Sequence, residues 1–198
     1  VNKTKSRMLK IGSAVAVAGA LIGGTLATAN AAEQAPGTTE VAAADVSAES
    51  RGGGGPRIPQ EIAVPAGNRL IGTMQARGQQ VYTCTAGAWV FTEPAATLTG
   101  RVNNRPVTAI HFKAPTWESI DDGSLVTATV QATSPVTGSI AQLLLKATPA
   151  AGSNGVFSKV TFIHRLATSG GAAPAGACTE GARLGVAYRA EYRFYTAG

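Results

Sequence analysis

The sequence predicts an all-β protein, a single antiparallel β-sandwich or barrel-like domain with one disulfide, preceded by a signal peptide and a flexible linker. Three observations carry this expectation. Apolar and polar residues alternate with a period of two along most of the chain after Ile58. Turn signals separate the alternating runs, and no long amphipathic helix interrupts them. Two cysteines stand in a chain whose first residues read as an export signal.

The amino-terminal segment comes first in the argument. Lys3, Lys5, Arg7 and Lys10 precede an uncharged run from Ile11 to Ala29. Ala29-Asn30-Ala31 then places small residues at the two positions a signal peptidase reads, with Ala27-Thr28-Ala29 as a second candidate. Residues 1–31 are expected to be a cleaved signal. A retained anchor is the alternative, because the apolar run of 19 residues nears spanning length. Gly12, Ser13, Gly19, Gly23, Gly24, Thr25 and Thr28 dilute that run, however, and no stop-transfer flank follows. No Arg-Arg pair precedes it, which favours the general secretory route. Val1 is what direct translation of a GTG start codon prints, a bacterial habit. The expected destination is extracellular, with no stable membrane insertion after cleavage.

Charge follows from that cleavage. The full chain of 198 residues carries a net +6, but residues 32–198 hold 13 cations against 11 anions. The basic balance is partly an export signal, so nucleic acid is not an expected partner.

Residues 32–57 contain no aromatic side chain and end in Gly52–Gly55 and Pro56. Such a stretch buries too little apolar surface to offset ordering of roughly 1–2 kcal/mol per residue. A flexible linker is expected. A phosphate-cradling loop would need a following Lys-Ser/Thr, and Pro56-Arg57-Ile58-Pro59 stands there instead.

Residues 58–198 form the expected domain. Val126, Ala128, Val130 and Ala132 oppose Thr127, Thr129 and Gln131, and Tyr188, Ala190, Tyr192 and Phe194 oppose Arg189, Glu191 and Arg193. Further strands are expected at Leu70–Met74, Gln79–Thr85, Ala88–Thr92, Thr108–Phe112, Ala141–Ala147 and Phe157–Leu166. Turns fall at Arg77-Gly78, Ala86-Gly87, Asn103-Asn104, Asp122-Gly123, Ser134-Pro135 and Ser153-Asn154-Gly155. Ser139–Lys146 also fits two helical turns, with Ile140, Leu143 and Leu144 on one face; strand is the favoured reading.

Cys84 and Cys178 are the only cysteines. In an exported chain they are expected to form a disulfide, worth roughly 4–5 kcal/mol through its long loop. A reactive thiol is the alternative, but no Cys-x-x-Cys pair or neighbouring His is present to activate one.

Four segments resemble a known family. They are Gly78-x-Gln80-x-Tyr82-x-Cys84, His111-Phe112-x-x-Pro115-Thr116-Trp117, Arg165-x-x-Thr168-x-Gly170-Gly171-x-x-Pro174-x-x-x-Cys178, and Val186-x-Tyr188-x-Ala190-x-Tyr192-x-Phe194-Tyr195. Together they resemble an exported family of bacteria and fungi, domain of unknown function 3455, from about Pro65 to Tyr195. The resemblance implies a secreted domain with both cysteines in family positions. It implies no activity, ligand or catalytic residue.

The chemistry-bearing residues are few. His111 lies within twelve residues of Trp117, Glu118, Asp121 and Asp122, a set able to hold a cation, run acid–base chemistry or seat a polar ligand against an aromatic face. The competing reading is a turn around Pro115 and Asp122-Gly123, with Trp117 capping the core. His164 shares an apolar face with Val160, Phe162 and Leu166, where a hydrogen-bonded core imidazole is expected. Arg189, Glu191 and Arg193 read as solvent-facing charges. Glu93 and Glu118 are an acid pair of unknown separation. No Gly-x-Ser-x-Gly, His-Glu-x-x-His or EF-hand pattern occurs.

The leading expectation is therefore a secreted, non-catalytic module that binds a small molecule, glycan or cell-wall polymer, with Tyr82, His111 and Trp117 as candidate contacts. No catalytic residue, metal ligand or cofactor is assigned. The alternative is a secreted enzyme or metal-binding protein using His111 with Glu118, Asp121 and Asp122. A third reading is a surface protein that acts by assembly.

Overall fold

A computed structural model describes residues 55–150 and 154–198. The expected signal peptide, residues 1–31, lies outside the described residues, as does the expected linker up to residue 54. Eight strands follow one another: β1 (Asn68–Thr85), β2 (Ala88–Val102), β3 (Arg105–Phe112), β4 (Thr116–Ser119), β5 (Leu125–Ser134), β6 (Gln142–Pro149), β7 (Phe162–Gly170) and β8 (Arg183–Ala197). Each pairs antiparallel with the next, and β8 returns to β1, so the sheet closes on itself as an up-and-down barrel. Of the two expected architectures, sandwich and barrel, the barrel is the one formed. Closure leaves no free edge strand to template aggregation.

Strand lengths depart from the sequence expectation in particular places. Leu70–Met74 and Gln79–Thr85 are parts of one 18-residue strand, running through Arg77-Gly78 where a turn was expected. A Cβ on Gly78 would collide with the backbone at Ala95 and Ala96, and one on Gly100 with Thr73 and Met74. These two glycines therefore serve close strand approach in the coiled β1–β2 hairpin rather than a turn. Strand β4 was not expected, since four residues are too few to display an alternation. Phe157 does not begin a strand: residues 155–159 form a turn, and β7 starts at Phe162. Within Ser139–Lys146, the strand reading holds from Gln142 onward.

The lumen is unequally filled. At the end that carries the β2–β3 and β4–β5 turns it is packed by Met74, Leu98, Val102, Val107, Val126, Ile163 and Phe194. Phe157 plugs this end, fully buried and stacked on Phe194 with ring centroids 4.8 Å apart. The plug is tied down by polar contacts. The Asp122 carboxylate accepts the Val156 N–H at 2.9 Å, and the Ser124 hydroxyl oxygen accepts the Phe157 N–H at 3.2 Å.

A second apolar cluster lies on the outer wall. Ile62, within a 3-10 turn at Gln60–Ile62, packs on Leu144 and Leu166, with Ile58, Val64, Ala132 and Phe162 around it. Leu144 therefore faces this strap while its neighbour Leu145 faces the lumen, which explains an unbroken Leu143-Leu144-Leu145 run in a half-exposed sheet. His164 sits under the strap, fully buried. Its Nε2–H donates to the Ile62 carbonyl at 2.6 Å, and its Nδ1 accepts from the Tyr195 hydroxyl at 3.0 Å. This is a neutral imidazole with both nitrogens satisfied. Burial holds its pKa below the usual histidine value.

Candidate functional site

The opposite end of the barrel is open. At this end, which carries the β1–β2, β3–β4, β5–β6 and β7–β8 connections, the β3–β4 and β5–β6 connections border a cavity of about 520 Å³, within the range of small-molecule sites. Each strand contributes through its lumen-facing positions. Gln80 and Tyr82 come from β1, Phe91 and Pro94 from β2, His111 from β3 and Trp117 from β4. Val130 comes from β5, Leu143 and Leu145 from β6, Arg165 from β7 and Tyr192 from β8. Phe91 and Val130 are about half exposed and form part of the mouth.

Alternation puts His111 and Trp117 together. They are directly paired residues of β3 and β4, so their side chains share the lumen face. The two rings stack, centroids 4.2 Å apart with an interplanar angle of 7°, and Tyr192 meets both edge-on. The His111 Nδ1–H donates to the Thr116 carbonyl at 2.9 Å. Burial is the main force lowering the His111 pKa to about 4; the Thr116 contact opposes it and the Arg165 charge adds to it. His111 is therefore uncharged at neutral pH.

The remaining polar groups are sparsely partnered. The Tyr82 hydroxyl donates to the Gly171 carbonyl at 2.6 Å, fixing the β7–β8 connection against β1. Cys84 and Cys178 form the disulfide that staples the same connection one turn further out. By contrast, the Gln80 side-chain nitrogen, the Trp117 indole nitrogen and the Tyr188 and Tyr192 hydroxyls are buried without a well-formed hydrogen bond. Burial raises the pKa of both Tyr188 and Tyr192. Arg165 donates from Nε to the Ala141 carbonyl at 3.0 Å. Its positive charge opposes the rise at Tyr82, Tyr188 and Tyr192, so one guanidinium is felt across the whole chamber.

The acidic candidates are elsewhere. Glu118 pairs with Ile110, on the outward face next to the lumen-facing His111–Trp117 pair. Asp121 accepts the Thr108 N–H at 2.8 Å. Asp122 accepts the Ser124 N–H and hydroxyl as well as the Val156 N–H. Burial alone would raise the Asp122 pKa, but these hydrogen bonds outweigh it and hold the carboxyl at about 2. Both aspartates belong to the β4–β5 turn, at the plugged end. The grouping of His111 with Glu118, Asp121 and Asp122 is thus corrected: proximity in sequence spans the barrel from its open end to its closed one. Among the described residues no three His, Cys, Asp or Glu side chains are grouped to hold a metal ion.

Comparison with known families gives a match to Protein of unknown function (DUF3455) over residues 65–196, about two thirds of the chain. The chain belongs to the DUF3455 family. No curated protein and no solved structure matches it. In this DUF3455 barrel, Gln80, Tyr82, His111, Trp117, Arg165 and Tyr192 all stand in the four segments that carry the family resemblance, and all six line the cavity.

Gln80, Arg165 and Tyr192 were not picked out as site residues from the sequence. The signal for Tyr192 and Gln80 was present in the alternation, which sets Tyr188, Tyr192 and Phe194 on one face and Gln80 with Tyr82 on another. Arg165 was obscured because β7 is buried on both sides. His164 and Leu166 face the strap, leaving Ile163 and Arg165 to the lumen.

Proposed function

We propose that this DUF3455 domain is an exported, non-catalytic carrier or sensor that takes a small, mainly apolar molecule into the open end of its barrel. The observation that carries the reading is the half-filled lumen. An eight-stranded barrel is just wide enough to be filled by its own side chains or to hold one small ligand, and here one half is packed while the other is hollow. Aromatic and aliphatic walls favour an apolar guest over a glycan, whose hydroxyls would need a lining richer in donors and acceptors. An oxidised cysteine pair supports an oxidising destination. The outward faces of β1 and β8 carry Gln75, Arg77, Gln79, Arg189, Glu191 and Arg193, a polar exterior that favours water over lipid around the barrel.

The test is titration of the full chain with N-phenyl-1-naphthylamine, an uncharged probe whose emission rises in apolar surroundings. Saturable enhancement is expected. Val130→Trp, at a half-exposed position on the mouth, is expected to weaken it at least tenfold while leaving the circular dichroism unchanged. Absence of enhancement, or undiminished enhancement in V130W, would overturn the reading.

A further inference from the structure

We propose that the ligand is an organic monoanion, an apolar body bearing one carboxylate, and that Arg165 is the residue that receives the carboxylate. The proposal rests on the cavity-binding reading above and adds the chemistry of the guest.

The starting point is an unbalanced charge. Arg165 lines a chamber whose other walls are mostly aromatic and aliphatic, including Trp117, Tyr192, Val130 and Leu143. The ion pairs among the described residues are Arg183–Glu93 and Arg193–Glu191, so no carboxylate among the described residues neutralises Arg165. Only its Nε has a well-formed hydrogen bond, to the Ala141 carbonyl. That contact holds the planar group in place; the Tyr192 hydroxyl lies close to the same guanidinium, and the terminal amino groups have no well-formed hydrogen bond of their own. A guanidinium in this state offers a fork matched to a carboxylate, which it can bind through two parallel hydrogen bonds.

A charged side chain is costly to withdraw from water unless it gains a partner. Arg165 is nevertheless only partly exposed on a lumen-facing position of β7, where Ile163 two residues earlier is fully buried. Nothing in the strand's packing requires a cation there. The buried Gln80 and Trp117 N–H groups add donors without acceptors to the same chamber. Counting the Tyr192 hydroxyl, which can both donate and accept, the buried donors without a well-formed bond outnumber the acceptors, a balance that an anion suits better than a cation or a donor-rich guest. The His111 imidazole is neutral, as are the Tyr82 and Tyr192 phenols whose pKa values burial raises, so none of them adds a second charge.

The charge count selects the headgroup. One guanidinium inside the chamber balances one negative charge; Lys113 also borders the cavity, but it is exposed and screened by water. A phosphate dianion would enter with a charge left over. A carboxylate enters neutralised, with its apolar remainder against the aromatic wall.

The test compares naphthalene-2-carboxylate, naphthalene-2-carboxamide and 2-naphthyl phosphate by calorimetry on the full chain. The carboxylate is expected to bind about tenfold to a hundredfold tighter than the carboxamide, as a charge-assisted contact implies. Arg165→Gln should remove that preference, weakening the carboxylate far more than the carboxamide, and Arg165→Lys should keep part of it. Equal affinity for carboxylate and carboxamide in the wild-type protein would overturn the anion assignment while leaving the cavity reading standing. Preference for the phosphate would overturn the monoanion assignment. Binding of none of the three would overturn both readings. If R165Q fails to fold by circular dichroism, the wild-type comparison and R165K still decide the matter.

Discussion

His111 lies flat on Trp117, their ring centroids 4.2 Å apart, with its Nδ1–H held by the Thr116 carbonyl. A stacked, buried, neutral imidazole gives the fold a defined acid response. The unfolded chain takes up a proton at this position near pH 6.5, whereas the folded chain resists until about pH 4. Stability is therefore lost as pH falls from 6.5 to 4 and loses nothing further from this group below 4. The limit of the effect is about 3 kcal/mol, from the free-energy equivalent of a pKa difference. Denaturant midpoints at pH 7, 5.5 and 4 should show the fall. His111→Gln should reduce it, leaving the slope that His164 contributes in the same direction.

Asp122 responds at lower pH and with the opposite kind of shift. Its carboxyl is depressed to about 2, so its contribution is complete above pH 4 and disappears as pH falls towards 2. Because it holds Val156 next to the Phe157 plug, Asp122→Ala is expected to cost about 1–3 kcal/mol at pH 7. The cost should shrink at pH 2, where the wild-type carboxyl is itself substantially protonated. Urea melts at both values check this.

Phe157→Ala removes a fully buried ring from the closed end, with an expected loss of about 3–5 kcal/mol. The cavity at the other end has no Phe157 in its wall, so probe affinity of the folded variant should stay within twofold of wild type. A large loss of affinity at preserved fold would show that the two ends are coupled.

Cys84→Ser with Cys178→Ser should destabilise the protein by about 4–5 kcal/mol on the chain-entropy account, for a sequence separation of 94. Reductant should produce a comparable shift in the wild-type denaturation midpoint and none in the double variant. Tyr82 still ties Gly171 to β1 in that variant, so the inner part of the β7–β8 connection should keep its amide protection better than residues near Cys178.

Much of the barrel was legible because a lumen filled by side chains imposes alternation on every strand. Tyr188, Ala190, Tyr192 and Phe194 point inward and Arg189, Glu191 and Arg193 outward, as their pattern predicts. The pattern failed where a strand is covered on both sides. In β7 the apolar face containing His164 belongs to the outer cluster, and Arg165, on what looked like the solvent side, reaches the cavity. It failed again at β5. Val126, Ala128 and Val130 keep one face, but a bulge between Val130 and Ala132 sends Ala132 to the strap. The site was half legible. Of the candidate contacts, Tyr82, His111 and Trp117 line one cavity, whereas Glu118, Asp121 and Asp122 were drawn in by closeness along the chain, which a β-turn converts into distance across the barrel.

The β1–β8 ladder is what shuts the cylinder, with Asn68 opposite Ala197 and the Gly198 N–H bonded to the Gly67 carbonyl. Neither strand has any other way to satisfy that side of its backbone. Synthesis must therefore release β8 before the first strand can find its mate, and a nascent chain lacking it would present two unpaired borders to its neighbours. A permuted gene that keeps residues 58–66 ahead of β1, links them to Gly198 and starts at an exposed hairpin tip would move that vulnerable interval to another pair of strands while retaining the strap over His164.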